Sequence, residues 1–404
     1  MSRPLEGIKV VEVAMWAYVP SCGGMLSDLG ADVIKIESHT GDPARALTTG
    51  GKAPGAYGFT VQWEIYNRGK RSIAIDLNAE GALDILHKLL DDADVFLTNL
   101  LPKARRKMKI DVDDIRARHP NLIIAIGSGQ GALGPDAEKG GYDFISFWSR
   151  GGVSAAVTPK DYPYPLPMPS GAFGDCTSGA SLAAGICAAI IQRDRTGKAS
   201  VVDGSLLATS LWSMQSKVSS VTLAGVADLP KPGRGMTPNP LVNVYRTSDD
   251  RYLALCMLQA QRYWPEFCRT VGREDLVEDP RFATDAARVG NLAECVAILD
   301  EVFATKTLEE WKAILSTQSG QWDVVQQPGE LHKDVQVLAN NYMQEVDYGD
   351  GRKLKMVSVP VQFDRAPMKP RPAPEHNADC DAILTSLGYS EDQIIDLKVA
   401  GIAY

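Results

Sequence analysis

GIKVVEVAMWAYVPSCGGMLSDLGADVIKIES, residues 7–38, is the stretch that decides the fold. Its flanks, IKVVEV (8–13) and ADVIKIE (31–37), are short runs rich in β-branched residues, the composition of buried strands. Between them a helix-like stretch follows Pro20 and stops at Leu29-Gly30. Strand, helix, strand reads as a βαβ unit, which predicts a parallel sheet with a right-handed crossover. The turn after the first strand reads AMWAYVPSCGG. It lacks GxGxxG, so the dinucleotide fingerprint is absent.

Outward from this unit, SIAIDL (72–77), ADVFLTN (93–99) and NLIIAIG (121–127) supply further strands. Ala82, Leu83, Ile85, Leu86, Leu89 and Leu90 recur at helical spacing. The expected fold is α/β with a Rossmann-like sheet. A Gly/Pro/Tyr-rich loop, TPKDYPYPLPMPSGAFGDC (158–176), runs into an apolar helix over 177–193 and a strand at SVVDGSLL (200–207). The character then changes. YRTSDDRYLALCM (245–257) reads as a hairpin around Asp249-Asp250, residues 261–318 as helices, and 321–370 as strands and loops. The tail reads as two short helices, with Ser390 and Gln393 forming a capping box. A chain of 404 residues exceeds one ordinary core. The predicted organisation is a large Rossmann-like domain over 1–220, a smaller domain over 225–325, and a return to the large domain over 326–404.

The net charge of −8 gives no reason to expect nucleic acid or an anionic membrane as partner. Seven cysteines are scattered without a CxxC pair, and five histidines are isolated without HExxH, so neither a disulfide framework nor a metal site is expected. The longest apolar candidate, Ala180 to Ile191, is shorter than the ~18–20 residues of a membrane helix. MSRPLEGIKVVEV lacks the basic and apolar regions of a signal peptide, and a cytoplasmic location is the expectation.

Asp175 stands out in GAFGDCTSG (171–179), where a glycine-rich loop meets an apolar helix. The plain reading is a helix N-cap. The same geometry suits a nucleophile: glycines admit a large substrate close to the backbone, and helix-start N–H groups could hold an oxyanion.

Six stretches carry a family resemblance: PLEGIKVVEV (4–13), LSDLGADVIKIES with GDPAR (26–45), NRGKRSIAIDL (67–77), HPNLIIAIGSGQGALGP (119–135), GGYDFISFWSRGG (140–152) and the segment 174–206. In this order and spacing they resemble class III CoA-transferases. The resemblance implies that Asp175 is the catalytic nucleophile. Its carboxylate would attack a donor acyl-CoA to give a mixed anhydride, and CoA thiolate would then leave an aspartyl-CoA thioester for the acceptor acid. It also implies coenzyme A as carrier, acyl-CoA and carboxylic acid substrates, and an interlocked homodimer. It places CoA-binding residues at Trp16, Ala17, Ile75, Asn78, Asn99, Leu100, Lys107, Met108 and Lys139. Arg71 and Arg106, with Lys70 and Arg105, would add charge for the phosphates. Tyr142, Gly174, Gly233 and Gly235 would neighbour the reacting atoms.

Departures from the family's formyl-CoA branch fall at Ala17, Ser38, PGRGMTPNP (232–240) and NLLPKARRKM (99–108). SRGGVS (149–154), TPNP (237–240) and GREDLV (272–277) look closer to the branch that acts on cinnamoyl-CoA with phenyllactate and on 2-hydroxyisocaproate. Two alternatives stay open: an acyl-CoA racemase, which needs an Asp and a His as paired bases, and a non-catalytic CoA-binding protein. The histidine nearest Asp175 in sequence is His119.

Overall fold

The computed structural model describes residues 3–48, 51–229 and 238–404. Six strands form one parallel sheet: β1 (Lys9–Val13), β2 (Asp32–Glu37), β3 (Arg71–Ala74), β4 (Val95–Thr98), β5 (Ile123–Ser128) and β6 (Val201–Ser205). Their order across the sheet is β3-β2-β1-β4-β5-β6. β1 is central, with Val10 facing Val33 of β2 on one side and Val95 of β4 on the other. The chain therefore runs outward to β3, returns past β1, and builds the second half in the opposite direction. In open α/β sheets such a reversal leaves a crevice at the carboxyl ends of the strands.

The residues alternate across the sheet as a strand requires. Val10, Val33, Val95, Leu97, Ile123 and Ala125 bury into a core shared with α1 (Tyr18–Asp28). Val11, Val13, Ile73, Phe96, Ile124 and Ile126 bury into a second core on the other face. Both faces are covered, which is why the strands read as continuous apolar runs. The first helix begins at Tyr18, earlier than the sequence reading put it, because Pro20 is tolerated in a first turn whose N–H groups have no helical partner. α2 (Val61–Asn67), α3 (Ala82–Asp91), α4 (Pro102–Met108) and α5 (Val112–Arg118) lie on the further crossovers. After β5 come a π-helix (Phe144–Arg150), α6 (Val153–Val157) and α7 (Phe173–Thr196).

The 24 residues of α7 are enough, by length and composition, to cross a membrane. Here its Leu182, Ala183, Ile186 and Ile190 bury with α1 residues in the same core, the position of a core helix. The tail forms the helices Cys380–Ser386 and Glu391–Val399, and Ser390 with Gln393 makes a capping box.

The chain divides into two compact units. The larger takes in the chain up to Thr158, Tyr162–Gly225 and Val335–Tyr404; the smaller takes Pro159–Asp161 and Val226–Asp334. The smaller unit pairs Val242–Arg246, Tyr252–Cys256 and Trp322–Val324 into an antiparallel sheet. Its own core contains Trp264, Phe267, Phe303 and Trp311.

Candidate active site

The first turn after β1 is held from below by a buried ion network. Lys35 on β2 reaches Glu12 at 3.0 Å and Asp42 at 2.9 Å, and Lys70 reaches Glu12 at 2.8 Å. All four side chains are sealed from solvent. Lys70 also donates to the Pro20 carbonyl and to Asn67, each at 2.9 Å, which ties α1 and α2 to the same carboxylate. Burial pulls the Lys70 ammonium down to about 8. Asp42 accepts the backbone N–H of Trp16 at 3.0 Å. Trp16 needs that hold: its φ is +70°, a left-handed conformation that costs a bulky residue ~1–3 kcal/mol.

Above this turn a cavity of about 280 Å³ opens at the carboxyl ends of β1, β4, β5 and β6. Trp16, Ala17, Tyr18, Asp175 and Tyr142 line it, together with Arg105, Arg106, Lys139 and Asp203. Leu100 also lines a second, more apolar cavity of about 120 Å³ at the ends of β1, β2 and β3, with Ile75, Asn78 and Met108. The two cavities flank the reversal between β1 and β4.

Asp175 is the third residue of α7, and the residue at the helix N-cap is Ala172. The N-cap reading of Asp175 is therefore corrected. The capping carboxylate comes from across the site: Asp143, at the head of the π-helix, accepts the N–H of Gly174 at 2.8 Å and of Asp175 at 3.3 Å. Gly174 permits this approach, because a Cβ there would lie 2.4 Å from Asp143 Oδ1 and 2.3 Å from the Phe147 ring. Asp175 is left half-buried with a second carboxylate as its neighbour. Burial first, and Asp143 second, push its carboxyl up to about 7. Burial also raises Asp143, against the two N–H groups it accepts. Among the described residues no cation pairs with Asp175, and its surroundings disfavour its charge, the pattern that marks a carboxylate as a candidate for chemistry.

The description of family III of the CoA-transferases matches residues 5–380. The chain belongs to that family. It is 34% identical to (R)-2-hydroxy-4-methylpentanoate CoA-transferase of Clostridioides difficile, over 98% of each chain. It is 30% identical to cinnamoyl-CoA:phenyllactate CoA-transferase of Clostridium sporogenes, over 97% of this chain and 95% of the relative. Among solved structures, the D175A mutant of Rv3272 from Mycobacterium tuberculosis superposes with a TM-score of 0.81 at 27% identity, covering 95% of this chain and 99% of that one.

In this CoA-transferase the residues expected to bind CoA fall into three groups. Trp16, Ala17, Asn99, Leu100, Arg106 and Lys139 come together around Asp175, while Ile75, Asn78 and Met108 gather in the second cavity. Within the first group Asn99 has its amide committed, accepting from Met15 N at 3.1 Å and donating to Met15 O at 2.7 Å, so it shapes the first turn. Arg106 pairs with Glu138 at 2.8 Å on the rim. Lys107 is exposed and lines neither cavity.

Arg71 is not brought to the site. It begins β3, at the opposite end of the strand from Ile75, and its guanidinium pairs with Asp32 at the start of β2. Lys70 is not free for phosphate either, being committed to Glu12. Gly233 and Gly235 lie outside the described residues. Tyr142 is 57% exposed and meets Trp16 edge-on, with ring centroids 5.9 Å apart.

Sequence reasoning missed Asp143 and Tyr18. Asp143 stands inside the quoted GGYDFIS, but its partners are 31 and 32 residues away and no spacing rule links them. The expected oxyanion donors at the helix start are also reassigned. The N–H groups of Gly174 and Asp175 are taken by Asp143, and that of Cys176 donates to the Ala172 carbonyl.

Proposed function

We propose that this transferase moves CoA between carboxylic acids through a mixed anhydride and an aspartyl-CoA thioester on Asp175. One observation carries the reading: Asp143 does the capping, so the Asp175 carboxylate lines the cavity with no partner for its charge among the described residues. An Asp175 oxygen attacks the donor thioester carbonyl, the C–S bond breaks, and CoA leaves as thiolate. The thiolate then attacks the Asp175 carbonyl of the anhydride. That C–O bond breaks, and the donor acid departs as carboxylate. The acceptor carboxylate repeats these steps in reverse and regenerates Asp175. No proton is consumed, and the energy of the thioester is kept throughout.

Arg106 and Lys139 on the cavity wall suit the phosphates of CoA, and the second cavity suits its adenine; Arg105 lines the wall but is tied to Asp111 at 2.9 Å and to the Leu100 carbonyl at 2.7 Å. The two relatives named above act on 2-hydroxy acids with an apolar side chain by their names. That supports the same acceptor class here. A homodimer and a cytoplasmic location belong to the same proposal. No histidine lies among the residues that line the cavity with Asp175, which disfavours the paired-base racemase chemistry.

Incubation with an acyl-CoA and hydroxylamine tests the covalent step. Asp175 is expected to become a hydroxamate, read by peptide mass spectrometry, and Asp175→Ala to lose both label and turnover while folding normally. Label on another residue, or a turning-over Asp175→Ala enzyme, would sink the mechanism. A panel of carboxylic acids read by CoA-ester chromatography identifies the acceptor, and 2-hydroxy acids are expected to lead it.

A further inference from the structure

Two glycines in the parallel sheet have no turn to make. Gly127 of β5 and Gly204 of β6 face each other as direct partners across the ladder. A glycine inside a strand weakens it and marks a close approach. What approaches is Tyr18, with its neighbour Val19 at Gly127. A Cβ at Gly127 would lie 2.2 Å from Val19 Cγ2 and 2.9 Å from Tyr18 Cε1, and a Cβ at Gly204 would lie 2.5 Å from the Tyr18 hydroxyl. The pair makes a flat slot that holds the ring.

The slot would hold a phenylalanine as well, yet the residue carries a hydroxyl. That hydroxyl is buried and has no hydrogen-bond partner among the described residues. An orphaned buried donor is costly, and a tyrosine in a core ordinarily finds an acceptor. Tyr18 lines the cavity with Asp175, and the two are tied at their backbones: Ser21 Oγ donates to the Tyr18 carbonyl at 2.8 Å and to the Asp175 carbonyl at 3.4 Å. Burial, with the Cys22 and Asp175 charges adding to it, raises the phenol, so it stays a neutral donor. Meanwhile the amides of residues 174–176, the obvious oxyanion donors, are already committed.

We propose that the Tyr18 hydroxyl is the oxyanion donor for the tetrahedral adducts formed at the Asp175 carbonyl carbon. When CoA thiolate adds to that carbon, the π pair moves to the carbonyl oxygen and the Tyr18 O–H donates to it. The pair then returns, the bond to the departing carboxylate breaks, and no proton changes hands. Tyr18 and Asp175 line the same cavity, and the hydroxyl finds no acceptor at rest, so it pairs only when the acylated Asp175 side chain turns its carbonyl oxygen toward it. Being buried, it acts without competition from solvent.

The inference rests on the covalent reading at Asp175, and Tyr18→Phe separates the two. The ring and its packing stay, and only the orphaned hydroxyl goes. We expect kcat to fall about 100-fold, with KM for acyl-CoA little changed and Tm equal to wild type or higher. Loss of activity with unchanged or raised Tm is something a purely structural hydroxyl would not produce. A Tyr18→Phe enzyme with wild-type kcat overturns the proposal. So does a clear drop in Tm, which would show that the hydroxyl already has a structural partner. If hydroxylamine labels wild-type Asp175 and Tyr18→Phe keeps its rate, only the Tyr18 assignment fails. If wild-type Asp175 takes no label, both fail.

Discussion

Glu12 and Asp175 are acids in the same unit, on either side of the first turn, and their surroundings differ completely. Glu12 is fully sealed and held by two lysine ammonium groups. Asp175 is half-buried, pairs with no cation among the described residues, and has a second carboxylate for company. The saturated acid holds the first turn, and the unsaturated one is the nucleophile proposed above. Glu12 is the more deeply buried of the two, so burial does not explain why Asp175 is the unpaired one; partner count does.

The comparison can be broken most forcefully at Glu12. Glu12→Gln leaves two buried lysines short of a counter-charge, and about 3–5 kcal/mol of stability should disappear in denaturant melts. The matching swap Asp175→Asn should cost no stability and should raise it at pH 8. Folding lifts the Asp175 pKa to about 7, so the folded state binds the proton more tightly than the unfolded one. The stability from that protonation is present at low pH and lost as pH rises through about 7, and the amide removes the loss. Equal destabilisation by both swaps would erase the distinction.

A smaller effect sharpens the role of the neighbour. Only ionised Asp175 attacks, so kcat/KM should climb with pH and level off above about 7. Asp143→Asn keeps an acceptor for the Gly174 and Asp175 N–H groups and removes a negative charge. The midpoint should move to lower pH, and a midpoint that moves up or stays would refute the coupling. The smallest effect belongs to Arg71→Ala. Its pair with Asp32 is partly exposed, so a loss of ~0–1 kcal/mol is expected. KM for acyl-CoA should not change, and a large rise would return Arg71 to the CoA site.

The six-stranded parallel sheet was legible because short apolar runs alternate with crossovers, one of which carries helical, period-3.6 spacing, along a continuous stretch. Asp175 was legible through its motif and its place at a helix start. The division of labour around it was not. Nothing local separates Asp175 from a capping aspartate, because the residue that takes over the capping sits on another segment. The same holds for Lys70 and Arg71. Both look like phosphate ligands in NRGKRSIAIDL, but strand direction puts Arg71 at the wrong end of β3, and Glu12 engages Lys70. Gly127 and Gly204 drew no reading from the sequence, and only the register between β5 and β6 shows that they form one slot.

The left-handed Trp16 has a consequence for how the enzyme matures. Its backbone is not a conformation the first turn would keep by itself, and the carboxylate that holds it arrives from Asp42, beyond β2. Asp42 in turn depends on Lys35. The mouth of the cavity therefore cannot set until the second strand has docked. A chain whose second strand is not yet paired lacks the contacts that hold this turn in its left-handed shape.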